Sequence, residues 1–287
     1  LTLQGSGSLT LAAGSIFQPQ SGILAYGANN VIGGGPGFIS MGTNGQNLYI
    51  AVTGSTSWLT LSSPLGYSST SAASGIDFFG NGTLELAAQG WLPRATYVNS
   101  GTLRLSGGLN TLMFSPMTAP AATTVNTNIA TQMPIYVSSG GAIDLNGNTQ
   151  AVTGLWGNVG SSAYPGSGGI VTNSSTTTAT LAVVQYNNNT WAGSMTGNMN
   201  FLRAGAWLTT ITAPNTYTGW TSLAGQVTTL QDLGTLQNTS RISVIGVPLA
   251  WNDNGIVAIS NRLGSAPIDL LGGSLSWTTR TDAQTAI

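Results

Sequence analysis

Residues 168–230 read GGIVTNSSTTTATLAVVQYNNNTWAGSMTGNMNFLRAGAWLTTITAPNTYTGWTSLAGQVTTL. Short runs of Thr, Val and Leu alternate with small or polar residues, and each run stops at a Gly, Asn or Pro-Asn cluster. Alternation at period two is the pattern of a strand that buries one face, and Gly and Asn supply the turns. Gly205-Ala206-Trp207-Leu208-Thr209-Thr210-Ile211 returns twenty residues later as Gly225-Gln226-Val227-Thr228-Thr229-Leu230. A short unit recurring at near-fixed spacing predicts a coil of stacked strands.

The same reading extends outward in both directions. Residues 82–86 (GTLEL) return as residues 101–105 (GTLRL), nineteen positions on. In register, Leu84 lies over Leu103 and Leu86 over Leu105, while Glu85 and Arg104 share the outward face about 4.8 Å apart. That geometry predicts a solvated cross-strand ion pair, not a catalytic carboxylate with an arginine clamp. Asn146-Gly147 reads as a corner in the left-handed backbone region. Residues 62–75, 115–134 and 160–169 are rich in Ser, Gly, Pro or Thr and read as protruding loops. No window carries helical spacing over three turns. Coils of about twenty to twenty-five residues, rising about 4.8 Å each, predict roughly a dozen coils in a rod about 60 Å long.

Several of these segments together resemble the autotransporter passenger-associated strand repeat of very large bacterial surface and secreted β-repeat proteins. The family pattern G-x-G-T-L-T-L, A-N-T-Y-T-G-x-T-x-V, G-T-L appears as residues 205–211, then Ala213-Pro214-Asn215-Thr216-Tyr217-Thr218-Gly219-Trp220-Thr221, then residues 225–230. Thr190-Trp191-Ala192-Gly193 stands at the family's T-Y-x-G strand. Asn261-Arg262-Leu263-Gly264 and Leu271-Gly272-Gly273-Ser274-Leu275 match its N-R-L-G and N-G-G-T-L segments, and residues 139–148 match S-G-A-x-L-D-L-N-G-N. The resemblance spans roughly residues 80–110 and 138–277. It implies an all-β, right-handed parallel β-helix, outside the cell and without disulfides; the handedness rests on the resemblance alone. An antiparallel β-sandwich or jelly-roll is the alternative that also yields many short strands. The 287 residues read as one elongated solenoid segment, and the strand-like first and last residues suggest part of a longer precursor.

Composition narrows the chemistry. Only 5% of residues are charged, net charge is −1, and there is no His or Cys; Arg accounts for all six basic residues. Ser/His/Asp and Cys/His catalysis and the usual zinc sites are thereby excluded, as is a lysine-bearing phosphate loop. Scattered arginines form no basic stripe for a nucleic acid. No apolar run reaches the ~18–20 residues of a membrane helix. No cofactor is expected.

Seven carboxylates remain: Asp77, Glu85, Asp144, Asp232, Asp253, Asp269 and Asp282. Coiling could bring Asp253 near Asp269, and a carboxylate pair permits glycoside hydrolysis. In Asp144-Leu145-Asn146 and Asp253-Asn254-Gly255, however, each Asp precedes a turn whose backbone it can bond. Trp207 and Trp220 stand where the family has small residues, and should face a neighbouring subunit or a sugar. The expected function is a non-enzymatic structural protein of the bacterial surface or extracellular matrix that self-associates into a fibre. Trp207, Trp220, Leu1, Leu3 and Ile287 are the candidate assembly contacts. The alternatives are an adhesin binding a host or glycan ligand and a polysaccharide-degrading β-helix enzyme.

Overall fold

The computed structural model describes residues 1–19, 22–41, 47–66, 75–90, 92, 94–112, 133–157, 164–255, 257 and 259–278. Among them there is no helix, and the strands build a β-solenoid of about ten turns, close to the dozen expected. One face is a seven-stranded sheet from Thr2–Gln4 to Gly154–Trp156, continued by a five-stranded sheet from Asn189–Trp191 to Ser274–Thr278. A second face carries eight strands, from Ser8–Thr10 to Ser194–Met195. The third begins as three short strands and later becomes a six-stranded sheet from Thr149–Val152 to Ile268–Leu271.

Every pairing between these strands is parallel. A sandwich or jelly-roll needs antiparallel neighbours, so the parallel register rules out that alternative. Parallel stacking also sets each residue over its counterpart one coil away. Leu84 pairs with Leu103 and Leu86 with Leu105, as expected. The first of these ladders runs Leu59, Leu84, Leu103, Ile143, Val171 and Met195, all buried. Burying each such side chain contributes about 1.5–3 kcal/mol before chain entropy is counted.

The period is not constant. Thr209 pairs with Thr228, nineteen residues on, but Tyr97 pairs with Tyr136, thirty-nine on. Of the three expected loops, Leu65–Gly66 is a short strand, Pro134 opens the strand Pro134–Val137, and residues 164–169 form a turn bridged from Gly168 to Ser138. Residues 67–74, 115–132 and 160–163 lie outside the described residues.

The quoted repeat marks the coil's corners and interior. Gly205 and Gly225 both have positive φ, +96° and +86°, and a Cβ on Gly225 would lie 2.2 Å from the Gly205 carbonyl oxygen. Only glycine fits two such corners in close stack. Asn215 accepts from the Met195 amide at 2.9 Å and donates to the Thr235 carbonyl at 3.2 Å, joining three coils. Tyr217 is buried against Phe201, and its hydroxyl lies 2.5 Å from Thr221 Oγ1. Burial raises its phenol above the ordinary tyrosine range, against the opposing Thr221 contact.

Candidate functional site

The outward rows of the solenoid carry its candidate chemistry, because inward rows are packed and outward rows stack polar groups at strand spacing. On the second face Thr60, Glu85, Arg104, Asp144 and Thr172 stand in one register. Arg104 Nε lies 3.8 Å from both Glu85 Oε1 and Asp144 Oδ2. The expected pair is therefore half of a carboxylate–arginine–carboxylate row, with the guanidinium 5.6 Å from the Trp58 ring centre.

Each carboxylate accepts three hydrogen bonds. Glu85 accepts from Ser106 Oγ at 2.6 Å, Thr60 Oγ1 at 3.1 Å and Trp58 Nε1 at 3.2 Å. Asp144 accepts from the Ser174 hydroxyl at 2.6 Å and amide at 2.9 Å, and from the Asn146 amide at 3.0 Å. The last bond is the turn contact expected for Asp144, and Asn146 adopts φ +47° at that corner. These bonds hold successive coils in register.

Asp253 and Asp269 are each held by a different arginine. Asp253 is buried, 2.9 Å from Arg262 Nη2, and also accepts from Trp277 Nε1 at 3.1 Å. Asp269 pairs with Arg241 on the outer face of the six-stranded sheet. In the turn after Asp253, Asn252 Oδ1 accepts from the Asn254 amide at 3.0 Å. Asp253 turns inward because Arg262 needs a counter-ion there. Asp282 lies outside the described residues.

Trp207 and Trp220 are 46% and 40% exposed, but they sit at opposite ends of two neighbouring parallel strands. Trp220 opens the strand Trp220–Ala224, next to Asn200, and Trp207 follows the end of Met199–Ala204. Leu1 is exposed. Leu3 faces inward and belongs to the core, because the alternation that exposes Thr2 and Gln4 buries it. Ile287 lies outside the described residues.

The last described coil presents apolar side chains that inner coils would bury. Leu275 pairs with the fully buried Leu249, and Trp277 with Trp251, yet Leu275 and Trp277 are each 42% exposed. A cavity of about 420 Å³ opens there, lined by Trp251, Arg262, Leu263, Ile268, Leu275 and Trp277 among others.

The first face carries a row that was not singled out from the sequence. Tyr49, Asp77, Tyr97, Tyr136 and Trp156 occupy one register on successive strands. Tyr97 stacks on Tyr136 at 4.8 Å and 11° between planes, and Tyr136 stacks on Trp156 at 5.9 Å. The available signal was an aromatic at the outward centre of Leu48-Tyr49-Ile50, Thr96-Tyr97-Val98 and Ile135-Tyr136-Val137. Among the described residues, no cluster of acidic, His or Cys side chains could hold a metal ion.

Comparison with family models, with curated proteins and with solved structures found no match for this chain. The resemblance to the passenger-associated repeat therefore stands on the quoted residues alone.

Proposed function

We propose that this chain is a non-enzymatic structural protein of the bacterial surface or extracellular matrix, a β-solenoid that self-associates coil on coil into a fibre. The observation that carries this reading is the exposure of Leu275 and Trp277 on the last described strand, over which no described coil lies. A further coil laid on Ser274–Thr278 would bury both side chains and pair an open strand edge, which proteins seldom leave apolar and flat. Contact between the two unlike ends of a coil stack is heterologous, so it repeats as an open filament. A net charge of −1 offers little repulsion to oppose it. The engagement of Glu85 and Asp144 in coil-to-coil bonds supports a structural over a catalytic role.

Electron microscopy of the purified protein at near-neutral pH tests the reading. Fibres with an axial repeat of about 4.8 Å are expected, and Leu275→Asp should shorten or abolish them. Discrete rods at every concentration would overturn it. Trp207 and Trp220 lie on the sides, so their replacement by alanine should alter only lateral bundling. A second reading, an adhesin passenger, is favoured by the aromatic row on the first face. Monomeric rods that bind cells or glycans would select it.

A further inference from the structure

Asp77 differs from Glu85, Asp144, Asp253 and Asp269. Glu85, Asp144, Asp253 and Asp269 each lie against an arginine. Asp77 makes no ion pair among the described residues, and it accepts one hydrogen bond, from the neutral Asn99 amide at 2.5 Å.

Aromatic rings surround it instead. Tyr49 stands one strand before it and Tyr97 one strand after. Phe79, two residues along the same strand, projects from the same face. Tyr49 and Phe79 are exposed, at 46% and 41%. Tyr97 is held by its stack on Tyr136, which leaves its other face toward the Asp77 position. Tyr49 and Tyr97 are two strand spacings apart, about 9.6 Å, and the short Asp77 side chain ends well before a phenol ring does. The register thus sets Asp77 in a slot between the Tyr49 and Tyr97 positions, with Phe79 on the same face and the Asn99 amide on its carboxylate.

We propose that this slot binds an alkylammonium group of the quaternary, choline-like class. Aromatic faces carry partial negative charge and attract a weakly hydrated cation, and a carboxylate without a counter-ion adds a full charge at the floor. A neutral sugar could stack between the rings but would leave that charge uncompensated, and an anion would be repelled. Burial raises the Asp77 carboxyl above the usual carboxylate range, against the opposing Asn99 hydrogen bond; a bound cation would offset that burial cost. The site lies on the seven-stranded sheet, away from Ser274–Thr278, so its failure and the failure of fibre assembly are separate results.

Titration calorimetry of the full chain with choline chloride at constant ionic strength tests the proposal. Saturable binding is expected, with the uncharged carbon isostere of choline at least about tenfold weaker. Asp77→Asn keeps the side-chain shape and should weaken choline at least about tenfold, with an unchanged far-ultraviolet circular dichroism spectrum showing that it folds. Tyr97→Ala should weaken it as well. Phosphatidylcholine vesicles and a trimethyl-lysine peptide then separate a lipid headgroup from a protein side chain as the source, by whichever binds tighter than choline. Three results would each overturn the proposal: no heat with choline, equal binding of the uncharged isostere, or choline binding unaffected by Asp77→Asn. Saturable binding of methyl glucoside in place of choline would make the slot a sugar site.

Discussion

The first and second halves of the solenoid solve the same stacking problem with different interiors. Before residue 158 the inward ladders are mostly Leu, Ile, Val and Phe, with Asn30, Ser40, Thr96 and Gln150 among them, and Asp77, Glu85 and Arg104 stand on outward rows. After residue 164 buried Thr residues at 209, 212, 221, 228, 235 and 239 share the interior with two arginines. Arg203 sits in an inward row between Val183 and Leu223, fully buried. It donates to the carbonyls of Gly205, Ala224 and Gln226 and to Thr209 Oγ1. Burial pushes its guanidinium down to about 10, so it stays charged at neutral pH. Arg262 donates to the carbonyls of Asp232 and Gly234, both at 2.8 Å, and ion-pairs with Asp253. The difference teaches what a tight corner demands. Successive carbonyls converge at the inside of the stack, and a buried guanidinium bonds two or three of them at once.

The sharpest way to break this contrast is Arg262→Met. It leaves Asp253 buried without its cation, and a loss of about 3–5 kcal/mol is expected in urea unfolding. Leu84→Ala probes the dry half, and the cavity between Leu59 and Leu103 should cost about 2–5 kcal/mol. Arg203→Met should cost less than Arg262→Met, about 2 kcal/mol, because three carbonyls lose a partner but no buried countercharge is stranded. If Arg203→Met proves the more damaging, the carbonyls and not the ion pair dominate the polar interior.

Asp77 tests the outer face of the dry half. Its folded carboxyl titrates above the ordinary value because burial disfavours the charged form. Stability from this group is therefore fully present below the unfolded value and lost as pH rises through the raised folded one. Asp77→Asn should raise the melting temperature at about pH 7 and leave it unchanged at about pH 3. The smallest effect is expected at Thr228, whose buried hydroxyl has no hydrogen-bond partner among the described residues. Thr228→Val should be neutral or stabilising by up to about 1 kcal/mol, read from the same urea curves.

Local spacing carried a reading only where the coil was short. Leu84 over Leu103 and Glu85 over Arg104 follow from a nineteen-residue repeat within one stretch of chain. Asp144, the third member of that row, lies forty residues beyond Arg104, so no fixed period pointed to it. The Tyr97–Tyr136 stack was hidden for the same reason, across thirty-nine residues. The burial of Leu3 was not legible because it depends on which face the first coil turns inward. The buried pairing of Asp253 with Arg262, nine residues away, gave no period-two or coil-length signal in the sequence.

The amino-acid sequence by itself determined that this chain stacks strands. Period-two alternation, glycine corners and near-absence of charge are all local properties, and a uniform coil needs little else. Tertiary structure alone decided which side chains meet across coils of unequal length. The register of a parallel ladder is set by where the chain returns to the stack, not by how many residues it spends before returning. That is why Glu85, Arg104 and Asp144 become one row, and why Asp77 comes to stand among Tyr49, Phe79 and Tyr97.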